Sequence, residues 1–180
     1  VALQSATRQD GGASPETRRY TRMLYYDIAD LARPKLVREH VVPLPMFENA
    51  DGRQWVAAQS ELLALDETFF LLLCRDGGNG FGTSGTTSRY RSIELVDTSK
   101  ATNIAGSPYD GTVPVAPNGK LAAGVVPATL TRYIDINNNA ELNKFGLHNG
   151  PPNDRNNLSE KWEGICLLYT SPSPRDLSTS

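Results

Sequence analysis

Residues 69–74 (FFLLLC) are apolar at every position and bounded on both sides by turn signals, Asp66-Glu67 before and Arg75-Asp76-Gly77-Gly78 after. A run this short is too brief for a stable helix. Its uniform hydrophobicity suits a strand covered on both faces. The preceding segment 55–65 (WVAAQSELLAL) has some helical tendency from its Ala and Leu residues. Only a two-residue turn separates it from the apolar run, however, so a β-hairpin is the expectation. The same grammar recurs along the chain. Residues 20–28 (YTRMLYYDI) and 35–44 (KLVREHVVPL) read as another hairpin, with Pro43 and Pro45 ending the second strand or confining it to an edge. Residues 89–97 (RYRSIELVD) alternate, Arg91, Ile93 and Leu95 against Tyr90, Ser92, Glu94 and Val96, as a strand with one wetter face does. Further strands are expected at 130–136 and starting at 159–165 (SEKWEGI), and no segment reads as a helix of ten or more residues. The fold class is therefore all-β and antiparallel.

The 180 residues allow one ordinary domain. With 15 Gly and 12 Pro the composition is turn-rich. A formal charge of −2 argues against a general nucleic-acid or membrane-surface role. No apolar run approaches the ~20 residues of a membrane helix. The two cysteines, Cys74 and Cys166, make neither a disulfide framework nor a metal spacing, and Cys74 reads as a small buried hydrophobe. Residues 1–18 are polar and Gly/Ser-rich and read as a loop or a truncated edge. The long stretch 98–128 is expected to be either functional or locally ordered.

Strands at this spacing, without crossover helices, suit the blades of a β-propeller, whose inner strands are covered on both faces while the outermost is wetter. A blade takes roughly 40–50 residues. Residues 20–165 then hold about two blades' worth of an incomplete propeller.

Several motifs occur in an order that resembles the phytase-like family, described by its esterase-like activity. They are Ser60-Glu61-Leu62-Leu63-Ala64-Leu65-Asp66, the apolar strand ending in Arg75-Asp76, Tyr90 to Asp97, Ala101-Thr102-Asn103-Ile104, and Lys161-Trp162-Glu163-Gly164-Ile165. The resemblance covers 20–165. It implies an exported β-propeller, secreted or periplasmic, that hydrolyses phosphate or carboxylic esters of a small-molecule substrate. A non-catalytic propeller binding a protein or carbohydrate is the alternative. Many family members carry Glu-Arg where this chain has Cys74-Arg75. Residues 166–180 resemble translated sequencing-adapter sequence and are expected to be a non-native tail, which makes 20–165 a fragment.

The candidate site residues follow from this reading. Glu163 on an inner strand would face a central channel and bind metal or a substrate hydroxyl, or else pair with Lys161. Glu61 shares a face with Leu63 and Leu65 and needs a partner when buried, for which Arg75 is the natural choice. Arg75 also suits recognition of an oxyanion at the mouth of the Gly-rich loop 75–88, which has five glycines in fourteen residues but no phosphate-loop pattern. Asp135, Asn137 and Asn139 begin a calcium loop, but Ala140 and Gly146 at its sixth and twelfth positions reject an EF-hand. A looser calcium site using Glu61, Glu163 and Asp135 stays open beside an Asx turn. His148, in a Gly/Asn/Pro loop, is a candidate general base, whereas His40 reads as structural. No Gly-x-Ser-x-Gly elbow supports a serine esterase. Asn157-Leu158-Ser159 is a glycosylation sequon of little weight alone.

Overall fold

The computed structural model describes residues 1–78, 80–81 and 87–167. Its centre is a four-stranded antiparallel meander of β5 (Ala58–Ala64), β6 (Phe69–Arg75), β7 (Arg91–Asp97) and β8 (Thr129–Asp135), paired in that order. Two smaller antiparallel pairs precede it. β1 (Tyr20–Asp27) pairs with β2 (Lys35–Pro43), and β3 (Met46–Glu48) pairs with β4 (Gln54–Val56). The expected hairpins are present, with β2 ending at Pro43. The segment read as one strand over 55–65 is broken at Ala57 into β4 and β5, which belong to different sheets. β3 carried no signal of its own between Pro45 and the turn at Asp51-Gly52.

β6 is the apolar strand that defines the sheet. Phe70, Leu72 and Cys74 alternate into the main core with Met23, Val42, Leu44, Phe47 and Val56. Leu73 points the other way, into a small cluster with Ile136 and Leu158. Both faces are thus covered, as the run of six apolar residues requires. The expectation for 89–97 is corrected in two ways. β7 is an inner strand, and the outer, wetter position belongs to β8, exposed at nearly every residue. The face of β7 that carries Ser92 and Glu94 is the buried one, because the Glu94 carboxylate accepts from Tyr90 and Ser92 rather than from solvent. Residues 159–165 form no strand; they lie across the ends of β5 and β6 as irregular chain.

The stretch 98–128 is locally ordered. Ile104, Val115 and Ala116 are fully buried and pack on Val41 of β2, and single 3-10 turns form at Pro108–Asp110 and Pro117–Gly119. One short helix, α1 (Asn139–Leu142), follows β8, its first turn capped by the Asn138 side chain.

The N-terminal segment 1–19 joins the fold through a buried charge cluster. Asp10 is wholly enclosed and accepts from Arg22 Nε at 2.8 Å, Thr7 Oγ1 at 2.8 Å and the Val115 amide at 2.7 Å. Arg22 also donates to Glu39 at 2.8 Å and to the Tyr109 carbonyl at 2.7 Å. Gly11, with φ at +91°, lies so close to the Gly119 backbone that a β-carbon would sit 2.5 Å from the Gly119 nitrogen. Only glycine permits that approach.

Candidate functional site

Where β7 begins and β8 ends, the chain forms a polar cleft of about 450 Å³. Asp76, just beyond β6, positions one wall from behind. Its carboxylate accepts from the Gly78 amide at 3.1 Å, the Ser88 hydroxyl at 2.8 Å and the Arg89 amide at 2.6 Å, which pins the segment leading into β7. The Ser88 carbonyl in turn accepts from Asn137 Nδ2 at 3.2 Å and Asn149 Nδ2 at 2.9 Å. One carboxylate and one carbonyl therefore bring three separate segments to the same place.

Three arginines line the cleft, Arg89, Arg91 and Arg132, against one carboxylate, Asp135. Arg89 is exposed, and among the described residues its side chain makes no hydrogen bond. Arg132 is half-exposed and stacks 4.7 Å above the Tyr90 ring; its carboxylate contacts are long, 4.0 Å to Glu94 and 3.9 Å to Asp135. Arg91 is only 2% exposed, and among the described residues its Nη1 and Nη2 have no hydrogen-bond partner. Burial pushes the Arg91 guanidinium below its usual value, while the charge of Asp76 opposes that shift. Beneath Arg132, Tyr90 donates to Glu94 at 2.6 Å and Ser92 donates to the same oxygen. Burial, with the Glu94 carboxylate, pushes the Tyr90 hydroxyl up to about 12, so it stays a donor at neutral pH. The cleft's lining presents fork-shaped donors of the kind that receive an oxyanion, with the Asp76 and Glu94 carboxylates just behind it.

The residues singled out in the sequence are distributed around this cleft rather than gathered in it. Asp135 stands at its rim, its carboxylate taking the Asn137 amide at 3.0 Å in an Asx turn. Arg75 and Glu163 meet in an ion pair. Arg75 also donates to the Trp162 carbonyl at 3.2 Å, which the Ser60 hydroxyl reaches at 2.7 Å. The expected Glu61–Arg75 pair is corrected: Glu163 takes Arg75, and the Glu61 carboxylate accepts its neighbour's amide, Leu62 N, at 2.9 Å. The expected placement of Glu163 on an inner strand is also corrected, since it is exposed on irregular chain. His148 sits in the loop carrying Asn149, with Nδ1 2.9 Å from the Gly150 carbonyl and Nε2 3.1 Å from Asp154. His40 is buried, with Nδ1 3.1 Å from the Thr102 carbonyl. Burial, together with the charge of Glu94, pushes the Cys74 thiol well above its usual value, so it is inert packing. Among the described residues no three His, Cys, Asp or Glu side chains gather to hold a metal. The tail read over 166–180 lies outside the described residues beyond Leu167.

Sequence reasoning missed the cleft because its residues come from four places in the chain. The one signal was the polar pair Ser92 and Glu94, alternating with Ile93 and Leu95 within β7. A residue type that is costly to bury marks a place where the fold supplies partners.

Antiparallel sheets with an arginine-lined cleft at one end define the class: a mostly-β protein. The family model for phytase-like proteins, described as esterase-like activity of phytase, matches residues 1–142, and the chain belongs to that family. The match takes in the N-terminal segment that Asp10 fastens to the fold, and it stops before Trp162 and Glu163. An uncharacterized secreted protein of Arthroderma benhamiae is 35% identical over 182 residues, covering 96% of this chain and 35% of the relative. The chain thus spans about a third of that relative's length. No solved structure matches.

Proposed function

We propose that this chain is the anion-binding part of an extracellular phytase-like protein that hydrolyses phosphate or carboxylic esters, and that the β5–β8 meander is one blade of its propeller. The observation that carries the reading is the cleft of Arg89, Arg91 and Arg132, in which, among the described residues, no arginine is held by a carboxylate closer than 3.9 Å. In such a site the guanidinium groups fix the ester's anionic group and stabilise the charge that develops on its oxygens. The secreted relative supports an extracellular location. Arg75 and Glu163 enter as positioning residues, since they fasten 162–163 to the end of the sheet. Among the described residues calcium has no gathered set of carboxylates, so the reading rests on the arginines alone.

The test is ester hydrolysis by the full chain on p-nitrophenyl phosphate and p-nitrophenyl butyrate, with and without chelator. Arg132→Ala is expected to lower kcat/KM about 10²-fold, the scale of losing one charge-stabilising donor. Binding of the anion without turnover under either condition would instead mark a non-catalytic module. Unchanged kinetics in Arg132→Ala would remove the cleft from the chemistry.

A further inference from the structure

Tyr90 lines the arginine cleft, and we propose that it is the positioning residue of the site: its hydroxyl occupies the buried Glu94 carboxylate and so keeps Arg132 free to receive an anion. The proposal rests on the reading of the cleft as an anion site and names what holds that site ready.

Three donors stand around one oxygen, Glu94 Oε1. The Tyr90 hydroxyl donates to it at 2.6 Å, the Ser92 hydroxyl donates to it as well, and Arg132 Nε lies 4.0 Å away. A carboxylate oxygen offers two lone pairs, and the two hydroxyls fill them. At 4.0 Å the guanidinium is beyond hydrogen-bond reach. Glu94 is only 2% exposed, whereas the Arg132 side chain is half-exposed and lines the cleft. Arg132 rests instead over the Tyr90 ring, its central carbon 4.7 Å from the ring centroid. That contact supports the guanidinium without occupying its N–H groups.

Tyr90 thus acts twice: its ring carries the cation, and its hydroxyl occupies the cation's rival. Without the hydroxyl a buried carboxylate loses a donor, which is costly. Among the described residues Arg132 is the cation within 4.0 Å of Glu94. A movement of about 1 Å would close a charge-assisted bond between them and draw Arg132 out of the cleft. The ring's own place is set by the core, where Phe47 packs against it with centroids 5.9 Å apart. Tyr90→Phe therefore keeps the platform and removes the hydroxyl alone.

Calorimetric titration of the full chain with inorganic phosphate and with acetate, at fixed pH and ionic strength, reads anion affinity. Phenylglyoxal labelling, followed at the Arg132 peptide by mass spectrometry, reads whether that guanidinium is free when no anion is present. In Tyr90→Phe the affinity for the tighter-binding anion is expected to fall about tenfold, the scale of losing one charge-assisted bond, and labelling of Arg132 to slow. Ser92→Ala, which removes the other donor, should act in the same direction and carries the test if Tyr90→Phe does not fold. In the double variant Tyr90→Phe, Glu94→Gln the rival charge is gone, and both readouts should return to within about twofold of the unaltered chain. A merely structural role for the hydroxyl would show no such rescue. Unchanged affinity and labelling in Tyr90→Phe and Ser92→Ala, or a double variant as weak as Tyr90→Phe, would overturn the proposal and leave the anion site standing. No binding of either anion by the unaltered chain would overturn the anion site and the proposal with it.

Discussion

Arg22 shows what one side chain does for this fold. Its guanidinium is buried between Asp10 and Glu39, so a single cation ties the N-terminal segment, β1 and β2 together and reaches the 98–128 stretch through the Tyr109 carbonyl. Burial alone would raise both carboxylates. At Glu39 burial prevails, with the charge of Asp110 beside it, and that carboxyl lies above its usual range. At Asp10 the bonds from Arg22 and Thr7 outweigh burial and hold the carboxyl below its usual range. Removing the cation strands two buried anions. Arg22→Ala is therefore expected to cost about 3–5 kcal/mol, read as a fall in the urea midpoint. A loss under about 1 kcal/mol would show that the cluster is solvated rather than enclosed.

At the scale of elements, the same cluster makes residues 1–19 a strap. Besides Asp10, the strap is held by backbone bonds from Leu3 to Arg22 at 3.0 Å and from Gln59 to Gln4 at 3.0 Å. The sign of its pH dependence follows from Asp10. A carboxyl depressed in the folded state contributes stability that is fully present above its unfolded pKa, near 3.9, and is lost as pH falls through the lower folded value. Limited proteolysis between pH 5 and pH 2.5, with an acid-tolerant protease, should show cleavage within 1–19 rising steeply only at the acid end. Asp10→Asn should be cleaved readily across the whole range. Acid-independent protection in the unaltered chain would mean the strap is held by its backbone bonds and packing alone.

The whole molecule leaves one side of its main sheet open. β8 is an edge strand with exposed Tyr133 and Ile134, and beside it lies an apolar groove of about 320 Å³ that includes Phe145 and Trp162. Exposed edges flanked by apolar surface pair with other chains. The isolated 180 residues are expected to self-associate at micromolar concentration, and Ile134→Lys should reduce the association by placing a charge on the edge. Light scattering measures both. A monodisperse monomer with a sharp thermal transition would contradict this expectation.

Local pattern alone determined β1, β2, β6, β7 and β8. Six consecutive apolar residues in β6, the turn at Asp66-Glu67 and the stop at Pro43 each act over a few residues, so hairpins and their antiparallel sense were legible. Periodicity cannot say what will cover a face. For that reason the pattern of 89–97 did not show which face is wet, whereas the fold buries Ser92 and Glu94 with Tyr90, and Glu61 was assigned a partner that Glu163 takes from 88 residues beyond Arg75. The cleft is wholly a product of tertiary structure. Arg89, Arg132 and Asn149 carry no motif in sequence, and Asn137 was legible only as part of an Asx turn or the start of a calcium loop. They acquire a common purpose only because β7 and β8 run antiparallel and the Ser88 carbonyl gathers two distant amides beside them.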